Sequence, residues 1–158
     1  MKALLLAMLP ALTGIPASSL PPSHPFSVRA SSAADDLIAA LAAEGVPEGA
    51  ERDTWARRAW TWGVFESALT RDALGDGGVA CGYLQVVNPG LWLKDATCTS
   101  VRKDGVAGWR VGLRVMKHLI DRCGSVRSGL TSYATGKDCP TWTIGLVVRR
   151  MKLARETL

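Results

Sequence analysis

The residue best suited to acid–base chemistry in this sequence is Glu66. It is the only acidic residue in the segment 54–70, with Trp62 one helical turn before it and Phe65 adjacent. Burial of a carboxyl group against aromatic rings disfavours its charged form, and a glutamic acid that keeps its proton near neutral pH can act as a general acid. The alternative is an ordinary carboxylate at a helix end that faces water or pairs with Arg71.

Four sequence elements that include Glu66 occur in a characteristic order. They are Glu66-Ser67 at the end of a predicted helix, a glycine loop leading to Gly82-Tyr83-Leu84-Gln85, a helical pattern from Gly112 to Leu119, and Ser132-Tyr133-Ala134-Thr135-Gly136. Their order and spacing resemble the soluble lytic transglycosylase (SLT) family, whose members share the lysozyme-like fold. The resemblance covers about residues 54 to 150. It departs from the family pattern at Tyr83 and Leu84, which replace Leu-Met, and at Ala134, where the family usually has Asn.

The resemblance implies an enzyme that cleaves peptidoglycan glycan strands between N-acetylmuramic acid and N-acetylglucosamine. Glu66 would protonate the glycosidic oxygen and then act as base, while the muramyl C6 hydroxyl attacks C1 to give a 1,6-anhydro sugar. Ser67 would orient Glu66 or the substrate, Gln85 would hydrogen-bond the sugar chain, and Tyr133 would hydrogen-bond near Glu66. For these last three residues the alternatives are helix-end, turn and core roles.

Two other functions remain open at this point. A hydrolytic muramidase of the same fold would need a carboxylate to activate water, for which Asp76 is the candidate and Asp72 and Asp95 are poorer ones. Asp76 is also explained simply as a turn-forming residue. A non-catalytic cell-wall-binding protein could stack its tryptophans on sugars, although tryptophans in a small helical domain usually belong to the core.

The cysteines indicate an oxidising compartment. Four are present, Cys81, Cys98, Cys123 and Cys139, and no C-x-x-C pair occurs among them. An even count of this kind is typical of two disulfides, and we favour Cys81 with Cys98 and Cys123 with Cys139 because each pair closes a short loop. A Cys81 to Cys139 link would contradict this choice. With the histidines isolated in the sequence, we expect no metal site and no cofactor.

The first residues of the chain predict export. Residues 1–19 contain a lysine, an apolar run of about ten residues and then small residues, which is typical of a secretion signal and too short for a transmembrane helix of ~20 residues. Residues 20–34 are rich in proline and serine and are predicted to form an extended linker. The folded domain is expected over 35–158, in the periplasm or outside the cell.

The remaining pattern predicts a mostly helical α+β fold with a small loop or β element. Helices are expected from Asp35 to Leu41, over 54–69, over 106–122 after the N-cap Asp104, from Ser125 to about Thr135, and over about 141–155. Residues 79–87 could form a short strand or a buried irregular loop. Together with the family resemblance, this pattern predicts the lysozyme-like fold.

Length and charge restrict the remaining possibilities. The chain has 158 residues, 47% of them hydrophobic and 21% charged, which fits one globular domain. We expect this domain to be a monomer. The formal net charge of +5 favours anionic partners such as the bacterial cell wall. The basic residues are scattered, without the dense run or aromatic pattern of a nucleic-acid-binding module, so no nucleic-acid partner is expected.

Overall fold

Eight α-helices and one small sheet make up the part of the chain that this computed structural model describes, residues 1–154. The helices are α1 (Lys2–Ala7), α2 (Leu9–Thr13), α3 (Pro25–Ala43), α4 (Ala50–Ser67), α5 (Cys98–Lys103), α6 (Gly105–Cys123), α7 (Val126–Thr135) and α8 (Gly145–Leu153). The antiparallel sheet has the order β1 (Leu74–Gly75), β2 (Ala80–Cys81), β3 (Val86–Val87). The expected mostly helical α+β class is confirmed.

Helix α6 runs through the centre of the fold and packs against α3 and α7. It begins where the Asp104 side chain accepts a hydrogen bond from the Ala107 amide, and it ends at Gly124, which has a φ of 68°. The contact with α7 is close because a Cβ at Gly129 would lie only 2.5 Å from the Ile120 Cα. Both helices therefore have a fixed relative position, and α7 carries Tyr133.

Charged and polar contacts fix α3 on the other side of α6. Glu44 follows the last residue of α3 and accepts hydrogen bonds of 2.7 Å from Arg110 Nε and from Arg114 Nε. Burial of Glu44 opposes its ionisation, but the hydrogen bonds and charges of the two arginines outweigh burial and lower its pKa. The Trp109 indole donates a 3.0 Å hydrogen bond to the Ala33 carbonyl.

The N-terminal region differs from the expected extended linker. Helix α3 begins at Pro25, ten residues before the predicted start at Asp35, and Ala30, Ala33 and Ala34 are fully buried. Proline is favoured in the first turn of a helix, and alanine is both the best helix former and small enough for close packing. Residues 25–34 therefore belong to the folded domain, and the linker interpretation of that segment is wrong.

The segment predicted to be a secretion signal lies against the folded domain. Leu5, Leu9 and Leu12 are at most 4% exposed and belong to the common hydrophobic core, while Lys2 forms an ion pair with Asp35. An apolar run of this kind is buried because removing apolar surface from water is favourable. Its role as a signal stays a prediction. Within residues 1–154, no helix combines the length and apolar character needed to cross a bilayer.

Two disulfides hold the loops around the sheet and α7. Cys81 bonds Cys98 and links β2 to α5, and Cys123 bonds Cys139 and links the end of α6 to the segment after α7. These are the two pairs predicted from the sequence, each of which closes a short loop. The last helix starts at Gly145 and not at residue 141, and the segment between the second disulfide and this helix is irregular.

Candidate active site

Glu66 lies at the C-terminal end of α4, one residue before the helix ends. Ala68 and Leu69 follow with positive φ angles of 50° and 58°, so the chain turns sharply after the helix. Left-handed backbone in two successive non-glycine residues is uncommon and requires support from the surrounding structure. The Arg29 side chain gives part of it by donating a hydrogen bond to the Ala68 carbonyl. The turn leaves the Glu66 side chain 25% exposed.

The main partner of Glu66 is Arg150 on α8. Arg150 Nη1 lies 2.5 Å from Glu66 Oε1, and the Arg150 side chain is only 6% exposed. The guanidinium also lies over the rings of Trp62 and Phe65, at 5.4 Å and 5.0 Å from their centroids. The aromatic rings predicted to surround Glu66 therefore lie against the Arg150 guanidinium, which pairs with the Glu66 carboxyl group.

Arg150 was not identified from the sequence. Arg149 and Arg150 stand together near the chain end and are read as ordinary helix C-terminal charges. The pairing joins residues 84 positions apart, which no local pattern predicts. Arg71, the alternative partner of Glu66, is exposed and lies near position 105, where its Cδ would be 3.1 Å from a Cβ placed on Gly105.

Tyr133 lies between Glu66 and the loop that joins β2 to β3. Its hydroxyl donates a hydrogen bond to the Leu84 carbonyl. Burial of the hydroxyl, with a further contribution from the negative charge of Glu66, raises the Tyr133 pKa far above its ordinary value, although Arg150 acts in the opposite direction. Tyr133 is therefore a neutral hydrogen-bond donor, and its phenol and Glu66 are close enough to interact.

Ser67 hydrogen-bonds both the same loop and the last turn of α4. Its hydroxyl is 2.9 Å from the Tyr83 carbonyl and 3.2 Å from the Gly63 carbonyl, so it bridges the helix end and the segment that leads to Gln85. This geometry matches the helix-end alternative for Ser67. A role in orienting Glu66 or the substrate stays a prediction.

Gln85 has a left-handed backbone with φ of 48°, and its side chain folds back on its own turn. Gln85 Nε2 donates a 2.9 Å hydrogen bond to the Gly82 carbonyl, and its Oε1 occupies the space beside Gly75, where a Cβ would lie 2.3 Å away. Only glycine fits at position 75 without moving this side chain. Gln85 therefore packs against Gly75 of β1 and stabilises its own turn. Its part in sugar binding stays a prediction.

Gln85 and Tyr133 both line a surface groove of about 450 Å³. One wall is apolar, with Val115 and Leu119 from α6 and the half-buried Trp92, whose ring centroid lies 5.2 Å from that of His118. The other wall is polar and comes from the segment around Cys139 and from the end of α6; it consists of Arg122, Ser132, Lys137 and Asp138. The structure thus brings three of the predicted site residues, Glu66, Gln85 and Tyr133, to one region.

None of the additional carboxylates that a hydrolase could use is buried. Asp72, Asp76 and Asp95 are all exposed. Asp76 begins a short 3₁₀ turn between β1 and β2, and it follows the glycine that contacts Gln85. Within residues 1–154, no three side chains of the His, Cys, Asp or Glu types are grouped as a metal site.

Comparison with known proteins gives no match. No family model, no curated protein and no solved structure matches this chain at a significant level. The resemblance to the SLT family therefore rests on the four sequence elements, and the functional argument rests on the geometry around Glu66.

Proposed function

We propose that the protein is a peptidoglycan lytic transglycosylase with a lysozyme-like fold. The observation that carries the proposal is the placement of Glu66. Its carboxylate is partly open to solvent and interacts with Tyr133, which also lines the groove that contains Gln85. The proposed reaction uses the Glu66 carboxyl group as both acid and base, so the groove beside Tyr133 is where the glycan would lie.

In the proposed reaction Glu66 acts twice. It first donates its proton to the oxygen between the two sugars while the bond from that oxygen to the muramyl C1 breaks. The resulting carboxylate then accepts the proton of the muramyl C6 hydroxyl, whose oxygen bonds to C1. Water is not consumed, and Glu66 ends the cycle protonated.

The groove has the character expected of a site for a charged glycan. Sugar rings present both apolar faces and hydroxyl groups, which match Trp92 and the valine and leucine wall on one side and the polar wall on the other. Arg122 is already paired with Asp138 through a 2.9 Å contact, so Lys137 is the cation of this wall best suited to bind carboxylates of the peptide stem.

The proposal also includes export. Disulfides persist in the periplasm and outside the cell and are rare in the cytosol. The net charge of +5 favours association with an anionic wall, and added salt should weaken that association.

The experiment that tests the proposal is release of soluble fragments from purified peptidoglycan. We compare the wild-type protein with Glu66→Gln and with Glu51→Gln, since Glu51 is an exposed glutamate at the start of the same helix. We expect release by the wild type and Glu51→Gln, and a loss of at least a hundredfold in Glu66→Gln. Sedimentation with insoluble wall measures binding separately. Wall binding by all three proteins without release by any would leave a wall-binding protein as the better account.

A further inference from the structure

We propose that Arg150 is a positioning residue that fixes one oxygen of Glu66 and leaves the other oxygen to face the glycosidic bond. The inference deepens the proposed function and rests on it. Arg150 itself would not touch the reacting bond, because its contact is with Glu66 and with the two aromatic rings.

The first argument is geometric. Arg150 Nη1 bonds Glu66 Oε1, and no other donor in residues 1–154 hydrogen-bonds the Glu66 carboxylate. Oε2 is therefore the oxygen free to face a substrate. The neighbouring Arg149 is exposed, whereas Arg150 is almost completely buried, so α8 presents a single arginine to the site.

The second argument concerns the cost of burying Arg150. Its Nε is buried and has no hydrogen-bond partner within residues 1–154. Burying a cation is unfavourable, and burying it with an unsatisfied donor is more so. A hydrophobic residue would fill the space between Trp62 and Phe65 without that cost. An arginine there is therefore better explained by its effect on Glu66 than by fold stability.

The test uses three variants of the full chain. Arg150→Met removes the charge and keeps the length, Arg150→Lys keeps the charge, and Arg149→Met is the matched exposed control. For fragment release, we expect kcat to fall about tenfold in Arg150→Met with little change in KM, because the carboxyl group loses its fixed position. The loss should be smaller in Arg150→Lys and absent in Arg149→Met. An unchanged kcat in Arg150→Met would overturn the inference.

A second measurement does not depend on activity. Carbon NMR relaxation of the side-chain carboxyl groups, with Glu66 assigned by comparison with Glu66→Gln, measures how firmly the Glu66 carboxyl group is held. We expect the Glu66 side chain to be more mobile in Arg150→Met than in the wild type. Unchanged mobility would overturn the inference. Increased mobility in Arg150→Met, when the wild-type protein releases no fragments, would support the role of Arg150 and overturn the proposed transglycosylase activity. Arg150→Lys gives the same comparison if Arg150→Met does not fold.

Discussion

Gly112 offers the most exact test of how the fold positions the site. A Cβ on Gly112 would lie 2.2 Å from Leu84 Cδ1 and 2.8 Å from Leu84 Cβ, and Leu84 is 1% exposed. The Leu84 Cβ moves only with the backbone, so Gly112→Ala must shift the loop. The carbonyl of Leu84 accepts the hydrogen bond from Tyr133, and Gln85 is the next residue. The shift therefore reaches the candidate site.

The expected magnitude follows from two opposing contributions. Overpacking a core position costs about 1–3 kcal/mol, and alanine gains about 1 kcal/mol over glycine inside a helix. Since the Cβ contact requires backbone movement, we expect an overpacking cost in the upper part of the range and a net loss of about 1–2 kcal/mol. For a chain of this size the melting temperature should fall by roughly 2–8 °C.

Thermal unfolding followed by circular dichroism measures the effect. The matched control is Gly145→Ala, because Gly145 lies at the start of α8 and has no heavy atom within 4 Å of its added Cβ. The control should be unchanged or slightly stabilised. Leu84→Ala should cost less in the Gly112→Ala background than in the wild type, since it removes the closest contact, that with Leu84 Cδ1. A Gly112→Ala protein as stable as the wild type would refute the reasoning.

Three further predictions concern pH and covalent structure. Burial is the main cause that raises the pKa of Tyr83 and of Tyr133. Tyrosinate absorbance should therefore not appear near pH 10 while the protein is folded. The free energy of unfolding should fall as pH rises above about 10, because the tyrosines ionise more readily in the unfolded chain. A tyrosinate signal near pH 10 in folded protein would contradict this. Glu44→Gln should lower the free energy of unfolding in urea by about 1–3 kcal/mol at neutral pH. The difference between variant and wild type should shrink as acid protonates Glu44 in the wild type. Equal urea midpoints would contradict the ion-pair account. Replacing Cys123 and Cys139 by serine should cost about 3 kcal/mol in the same urea assay, given a separation of 16 residues; an unchanged midpoint would count against a stabilising disulfide.

Local signals predicted the central helices well. Asp104 caps α6 and Ser125 caps α7, where its side chain accepts a hydrogen bond from the Ser128 amide, and Gly136 ends α7 with a left-handed φ. Cap and stop residues act through backbone groups a few positions away, so their effect can be read from neighbouring residues. Disulfide pairs that close short loops are predictable for a similar reason.

Long-range packing accounts for what the sequence did not predict. The start of α3 was placed too late because prolines and serines favour a linker by composition, whereas the structure buries the alanines between them. Arg150 was missed because its partner Glu66 comes from a distant helix. The hydrogen bond from Ser67 to Tyr83 likewise depends on how α4 meets the loop, which local spacing does not specify.

The central claim is that Glu66 cleaves peptidoglycan without using water. Mass spectrometry of the soluble fragments that the oxidised protein releases from purified peptidoglycan tests it most directly, with Glu66→Gln digested in parallel. We predict muropeptides that end in 1,6-anhydromuramic acid from the wild type and none from the variant. Reducing-end fragments heavier by one water would contradict the claim and point to a hydrolase, with Asp76 as the first carboxylate to replace.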